Sequence, residues 1–428
     1  MEIFNRELEK ITFTVWAKII IIGLLFANED VFIFGVWDNL VFRNVPTIIQ
    51  LIGLVYFIFN IRYVKKDGNF LSLFFLSFII LFTCVVNCDL RFGYLFFVVL
   101  FINCFLCLNI YCLDDILELF YKVMYFISLY SLLFYCVRML FPLLLKFFPV
   151  IRNVANIDFY FCGLCNVIIN HGGLLRNYGP FREPGVFQMF IIIALTFGLF
   201  KRKKMVFSEL ICLIVALCTT FSTTGYICLF FLMTGFFFHK NSFNKYIRHG
   251  VLIFVLIGAF YLTFYTDLLY KEGYGSVFGK MLGAYNSISM IAREASITVN
   301  LKMFLNKPIF GNGLTYVDNK FSFFAFQIYG LATKDNTNTL LIQLSRFGLM
   351  FALIYVVRFI VNLWNYFDIN VVSKLCIIIS FFALLCGENL SYSFMVSMFL
   401  FVPIYHYDES RYKTVNCVQE NLNKEMIK

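Results

Sequence analysis

Charge is what this chain has least of. Asp, Glu, Lys and Arg make up 14% of its 428 residues, against about 25% in an ordinary soluble domain, while 61% are hydrophobic. Water is therefore not its solvent, and no stretch reads as a soluble domain or a linker. Histidine is scarce at four residues. Most of the 14 cysteines, including Cys84, Cys104, Cys107, Cys136, Cys212, Cys218, Cys228 and Cys376, lie inside apolar runs. There a thiol acts as a small hydrophobe, and no disulfide framework is implied. Cys162 and Cys165 form a Cys-x-x-Cys outside the apolar runs. With no second such pair beside it, a local disulfide or two idle thiols are expected rather than zinc. No internal repeat is evident, which weighs against a transporter built from repeated halves.

What is present is a succession of apolar runs long enough to cross a hydrocarbon layer of roughly 30 Å. They fall at about 12–27, 45–61, 70–86, 93–112, 119–141, 184–200, 206–221, 223–238, 250–266, 337–361, 374–387 and 391–405. The expectation is an all-α polytopic membrane protein of about twelve transmembrane helices, with residues 1–428 forming one membrane domain. The beginning resembles a signal peptide, yet the helix count closes only if the first run is a retained helix. The 58 Phe and 25 Tyr residues suit lipid-facing and interfacial positions. The formal charge of +10 comes from basic residues clustered at helix ends, so it speaks for orientation and not for nucleic acid.

Lys201-Arg202-Lys203-Lys204, between two apolar runs, belongs in the cytoplasm by the positive-inside rule and sets the parity of every other loop. Counting from it places both termini inside, with a cytoplasmic tail at about 406–428. It also places two long loops outside, at about 142–183 and 267–336. Each is far longer than a helix connection needs to be.

The first outer loop closes with Leu175-Arg176-Asn177-Tyr178-Gly179-Pro180-Phe181-Arg182-Glu183-Pro184-Gly185 before an apolar run. Gly179 and Pro180 favour a tight bend, and Pro184 can open a helix. Arg176 and Arg182 beside a helix start make a site for phosphate or pyrophosphate. The alternatives are lipid headgroup contacts or pairing with Glu183, which is itself the nearest candidate general base. In the second loop, residues 293–307 read as an amphipathic helix with Ile297, Leu301 and Phe304 on one face. Gly311 and Gly313 beyond it form either a backbone nest for an anion or a plain turn. Arg346 falls about two turns inside the tenth run, where an unpaired charge costs at least about 2.5 kcal/mol; Glu388 is one possible partner for it.

The pattern Arg-x-x-Gly-x-x-x-Glu-Pro-Gly before a membrane helix resembles the O-antigen and capsular polysaccharide polymerase family, which is related to the O-antigen ligases. Helix number, the two outer loops and the hairpin at residues 219–225 extend the resemblance over most of the chain. It implies a GT-C-like polymerase/ligase architecture in the bacterial plasma membrane. It also implies a metal-independent glycosyltransferase without a cofactor, joining repeat units carried on undecaprenyl pyrophosphate at the outer face. A flippase, a chain-length regulator and membrane lipid are the partners implied. By the same resemblance Arg293 joins Arg176 and Arg182 as a ligand of the lipid-linked substrate, with Gly179, Gly311, Gly313, Asn338 and Arg346 as further contacts. Ligases of this group carry His-Asn where this chain has Thr337-Asn338, a departure from the ligase pattern. A ligase and a flippase for lipid-linked sugars are the alternatives.

Overall fold

The computed structural model describes residues 14–37, 39–61, 68–153, 156–169, 175–202, 206–239, 288–330, 333 and 336–403. The chain opens with α1 (Val15–Phe26), a single turn α2 (Phe32–Gly35), α3 (Leu40–Asn60), α4 (Gly68–Val86), α5 (Gly93–Ile110) and α6 (Leu113–Leu140). A 3-10 turn (Pro142–Phe147) leads to three strands, β1 (Val150–Arg152), β2 (Asp158–Phe161) and β3 (Asn166–Ile168). Then come α7 (Pro184–Phe200), α8 (Phe207–Thr219), α9 (Thr223–His239), α10 (Ile288–Asn306), α11 (Leu314–Tyr329), α12 (Thr339–Tyr366), α13 (Val371–Gly387) and a short α14 (Phe394–Met398). Among them α3, α4, α5, α6 and α12 are long and apolar enough to cross a membrane, and α1, α7, α8, α9 and α13 are shorter apolar helices. The protein is a helical membrane protein. The ninth expected run at 250–266, residues 267–287 of the second outer loop, Lys203 and Lys204, and the tail at 406–428 lie outside the described residues.

At the centre stands α7. Its 17 residues carry no charge, and every one of them is buried. A helix that is apolar all round has no face for solvent and is stable only when enclosed by neighbours; α6, α8, α9 and α13 supply that enclosure. The most extensive helix pair joins α9 to α13, where Ser373 Oγ donates to the Gly235 carbonyl at 2.6 Å.

Three expectations need correction. The all-α expectation holds for the bulk of the described chain, with one departure: in the first outer loop β1, β2 and β3 form an antiparallel sheet in chain order. Its aromatic and β-branched residues suit a pleated, half-buried surface, and Phe159 and Ile168 bury against Phe32. Of the last run, 391–405, the described residues, up to 403, form only the five-residue α14, which is wholly buried. Lastly, α10 is amphipathic on a different stripe from the one expected. Ile297 and Leu301 are exposed, while Ala295, Val299 and Met303 pack against Val317, Phe321 and Ala325 of α11. Ala295 and Ala325 leave room in that contact for Met303 and Phe321, and Ile297 and Leu301 are left outside.

The two ends of α7 differ in chemistry. At its C-terminal end Arg202 pairs with Glu118 at 3.1 Å and with Glu209, and lies over the Tyr121 ring. At its N-terminal end the interhelical segments converge. Phe32 N donates to the Pro180 carbonyl at 2.9 Å and Arg182 N to the Asp30 carbonyl at 2.9 Å. Asn177 N reaches the Thr219 carbonyl at 2.9 Å, and Thr339 Oγ1 donates to the Glu388 carbonyl at 2.6 Å. These bonds collect residues from distant parts of the chain into one place.

Candidate functional site

That place holds a cavity of about 220 Å³ lined by Arg182, Glu183, Val317, Asp318, Phe321, Asn336, Thr337, Ile342, Arg346, Glu388 and Asn389. Arg182 arrives on the extended residues before α7. Glu183 is the N-cap position with extended backbone, and Pro184 occupies the first turn, where its missing N–H costs nothing. Gly185 lies in close approach to Glu388: a side chain there would meet the Glu388 carboxyl and displace it. The Glu-Pro-Gly sequence is thus a helix start on which a second carboxylate rests.

Arg182 donates through Nη2 to the Asn389 carbonyl at 3.1 Å and pairs with Asp30 at 3.7 Å. Its Nε is buried without a partner. Arg346 donates through Nη2 to Asp318 at 2.7 Å, leaving Nε and Nη1 buried and unpartnered. Asp318 also receives Arg91 at 2.7 Å on its other oxygen. Burial pushes the Asp318 carboxyl up, but the fields and hydrogen bonds of Arg346 and Arg91 outweigh it and hold the group below the usual carboxylate range. Asp30 shows the opposite balance. Burial raises its carboxyl to about 7 against the pull of Arg182, with Glu29 and Glu183 adding to the rise. Buried donors on a cation without acceptors are costly, and two arginines in one cavity wall make that wall strongly cationic.

Of the residues singled out from the sequence, the structure brings Arg182, Glu183 and Arg346 to the cavity wall. Arg176 sits beyond the lining, its Nε donating to the Thr220 carbonyl at 2.8 Å. Arg293 is exposed on α10, close enough for its charge to act on both Arg176 and Glu388. Gly179 makes the expected bend with φ +53°; its N–H donates to Asn177 Oδ1 at 3.1 Å and its carbonyl accepts from Asn166 N at 2.8 Å. Neither Arg176 nor Arg182 pairs with Glu183, because Asp30 takes that part for Arg182.

Three assignments change. Arg346 pairs with Asp318, not Glu388. Asn338 is the N-cap of α12, its side chain accepting from Leu341 N at 3.0 Å, and its neighbours Asn336 and Thr337 face the cavity instead. Gly311 and Gly313 form no anion nest, since their N–H groups already donate to the carbonyls of Lys307 and Arg346, each at 3.0 Å. What the turn does is hold Arg346. α12 breaks at Gly348 (φ +82°), and the two backbones lie so close that a Cβ at either Gly311 or Gly348 would strike main-chain atoms of the other segment. Leu349 N, whose helical acceptor is lost at the break, donates to the Pro308 carbonyl at 2.8 Å.

The residues that sequence reasoning missed are Asp30, Asp318 and Asn389. In a chain with so few charges, an acid at the end of an apolar run is itself a signal, and Glu29-Asp30 carries it, whereas Asp318 lies inside the second outer loop. The Asp89 carboxylate adds a structural counterpart. It accepts from Thr315 N at 2.8 Å, from Thr315 Oγ1 at 2.6 Å and from Tyr94 Oη at 2.8 Å, capping α11 from the α4–α5 connection. No group of three or more His, Cys, Asp or Glu side chains suited to a metal occurs among the described residues. No family model, curated protein or solved structure matches the chain.

Proposed function

We propose that this protein polymerises oligosaccharide repeat units carried on undecaprenyl pyrophosphate into surface polysaccharide, O-antigen or capsule, on the outer face of the bacterial plasma membrane. The observation that carries it is the pair of buried arginines, Arg182 and Arg346, in the wall of one polar cavity at the end of α7 remote from Lys201 and Arg202. By the positive-inside rule that end is the outer one, with about twelve spans in a GT-C-like arrangement and both termini inside. Guanidinium groups stay charged and grip phosphate in a fixed fork, so they hold the diphosphate and stabilise it as it departs. Arg176 and Arg293 lie outside the lining, near enough for their charges to act on Glu388, and add to the positive field that draws the carrier. Asn336, Thr337 and Asn389 offer hydrogen-bonding groups to sugar hydroxyls. A flippase and a chain-length regulator are the protein partners of such an enzyme.

The test uses the purified full chain and the lipid-linked repeat unit that accumulates in cells lacking this gene. A ladder of chain lengths on a gel, formed without added nucleotide, is the expected result. Arg182→Ala should reduce its rate at least about 100-fold, the scale seen when one donor to a developing oxyanion is removed. Single units left unchanged by the wild-type protein reject the proposal, as does a normal ladder from both Arg182→Ala and Arg293→Ala.

A further inference from the structure

Three carboxyl groups border the cavity, those of Glu183, Asp318 and Glu388, and they are not equivalent. Asp318 is committed to Arg91 and Arg346, one on each oxygen. Glu183 is exposed. Glu388 is 8% exposed, yet among the described residues no side chain or N–H donates to its carboxyl group and no ion pair consumes it. The main chain around it is held rigidly, because Thr339 Oγ1 donates to its carbonyl at 2.6 Å and accepts from Leu390 N at 2.8 Å. Its side chain rests on Gly185 at the start of α7, immediately beside the Arg182-Glu183 segment. A buried and uncommitted acceptor in a cavity wall shared with two arginines is what proton abstraction beside a departing anion requires, and arginine, which stays protonated, cannot supply it.

We infer that Glu388 is the catalytic base that takes the proton from the acceptor sugar's hydroxyl. The inference rests on the polymerase reading of the same cavity. In the step, the acceptor hydroxyl oxygen bonds to the anomeric carbon of the donor sugar. The bond from that carbon to the diphosphate oxygen breaks, and its electron pair stays on the carrier diphosphate between Arg182 and Arg346. The hydroxyl proton passes to the Glu388 carboxylate and returns to water when product leaves. Burial raises the Glu388 carboxyl above the usual range, and the Glu183 charge adds to this while Arg182, Arg293 and Arg176 oppose it. The group is therefore a stronger base than an exposed glutamate.

The experiment compares wild type, Glu388→Gln and Glu388→Asp as purified full chains with the lipid-linked unit from cells lacking the gene. Binding of that unit is measured beside turnover from pH 5 to pH 9. Glu388→Gln should bind the unit as wild type does while its turnover falls at least about 100-fold, the scale of general-base catalysis. The rise of rate with pH should disappear with it, and Glu388→Asp should recover part of both. A wild-type ladder with Glu388→Gln turning over at the wild-type rate overturns the inference and leaves the polymerase reading standing. So does a Glu388→Gln loss that is matched by lost binding and not relieved in Glu388→Asp. Absence of a ladder from wild type overturns both together.

Discussion

Among the carboxyls that surround the arginines, Asp30 is enclosed most completely, at 4% exposure, and its response to pH can be derived. Burial, with help from Glu29 and Glu183, raises it to about 7 in spite of Arg182. Between its ordinary value near 4 and 7 the folded protein therefore binds a proton that the unfolded chain releases. Stability from this group is complete at low pH and declines as pH rises through 7, by at most about 4 kcal/mol. Glu388 is raised by burial and acts in the same direction, whereas Asp318 and Asp89 are lowered and matter only below pH 4. Melting of the protein in detergent should therefore occur at a lower temperature at pH 8 than at pH 5, and Asp30→Asn should flatten that difference while keeping the side chain's shape. An Asp30→Asn protein as sensitive to pH as wild type would show that Asp30 is ionised throughout. Arg182 was legible as a site residue because it precedes a Pro-Gly helix start. Its partner Asp30 lies about 150 residues earlier in a segment with no motif, and only folding joins them.

At the scale of elements, the meeting of the Gly311–Gly313 turn with the break in α12 aims Arg346 into the cavity. Two backbones in direct contact leave no room for a Cβ, and Gly348 (φ +82°) and Gly311 (φ +68°) also adopt a conformation that costs an L residue about 1–2 kcal/mol. Gly330 provides an internal control: it caps α11 with φ +69°, and nothing lies within 4 Å of where its Cβ would be. Gly330→Ala should cost only the conformational strain, about 1 kcal/mol. Gly348→Ala should cost several times that and remove activity, because it must also separate the strand of chain that holds Arg346. Denaturation and turnover of the two variants decide the matter, and equal losses would refute the clamp. The sequence does signal a break in this region through Pro308 and the Gly-x-Gly turn, but periodicity alone selects the bulkiest stripe of α10 and so exposes the wrong face. Alanine, serine and asparagine pack that helix closely, and a pattern read for large hydrophobes passes over them.

For the whole molecule, hydropathy places the apolar helices, because lipid demands long, internally hydrogen-bonded segments whatever the tertiary fold, but it leaves α11 unmarked inside the second outer loop. It says nothing of which helix stands in the middle or which loops touch, since those depend on side-chain fit. The small sheet at residues 150–168 shows the limit: its strands of three and four residues are too short to leave a periodic signal. Orientation is the further question, and labelling decides it. Arg152 lies on β1, at 62% side-chain exposure, in the loop that delivers Arg182 to the cavity. Asp368 is exposed in the connection between α12 and α13, at the other end of both helices. If the cavity faces outward, Arg152→Cys reacts with a membrane-impermeant maleimide in intact cells above the background of the unsubstituted chain, and Asp368→Cys reacts only after permeabilisation. The reverse pattern would put the cavity in the cytoplasm. A polymer built there could not reach the cell surface without a further transport step, so the same measurement that fixes orientation also bears on which chemistry the arginines can serve.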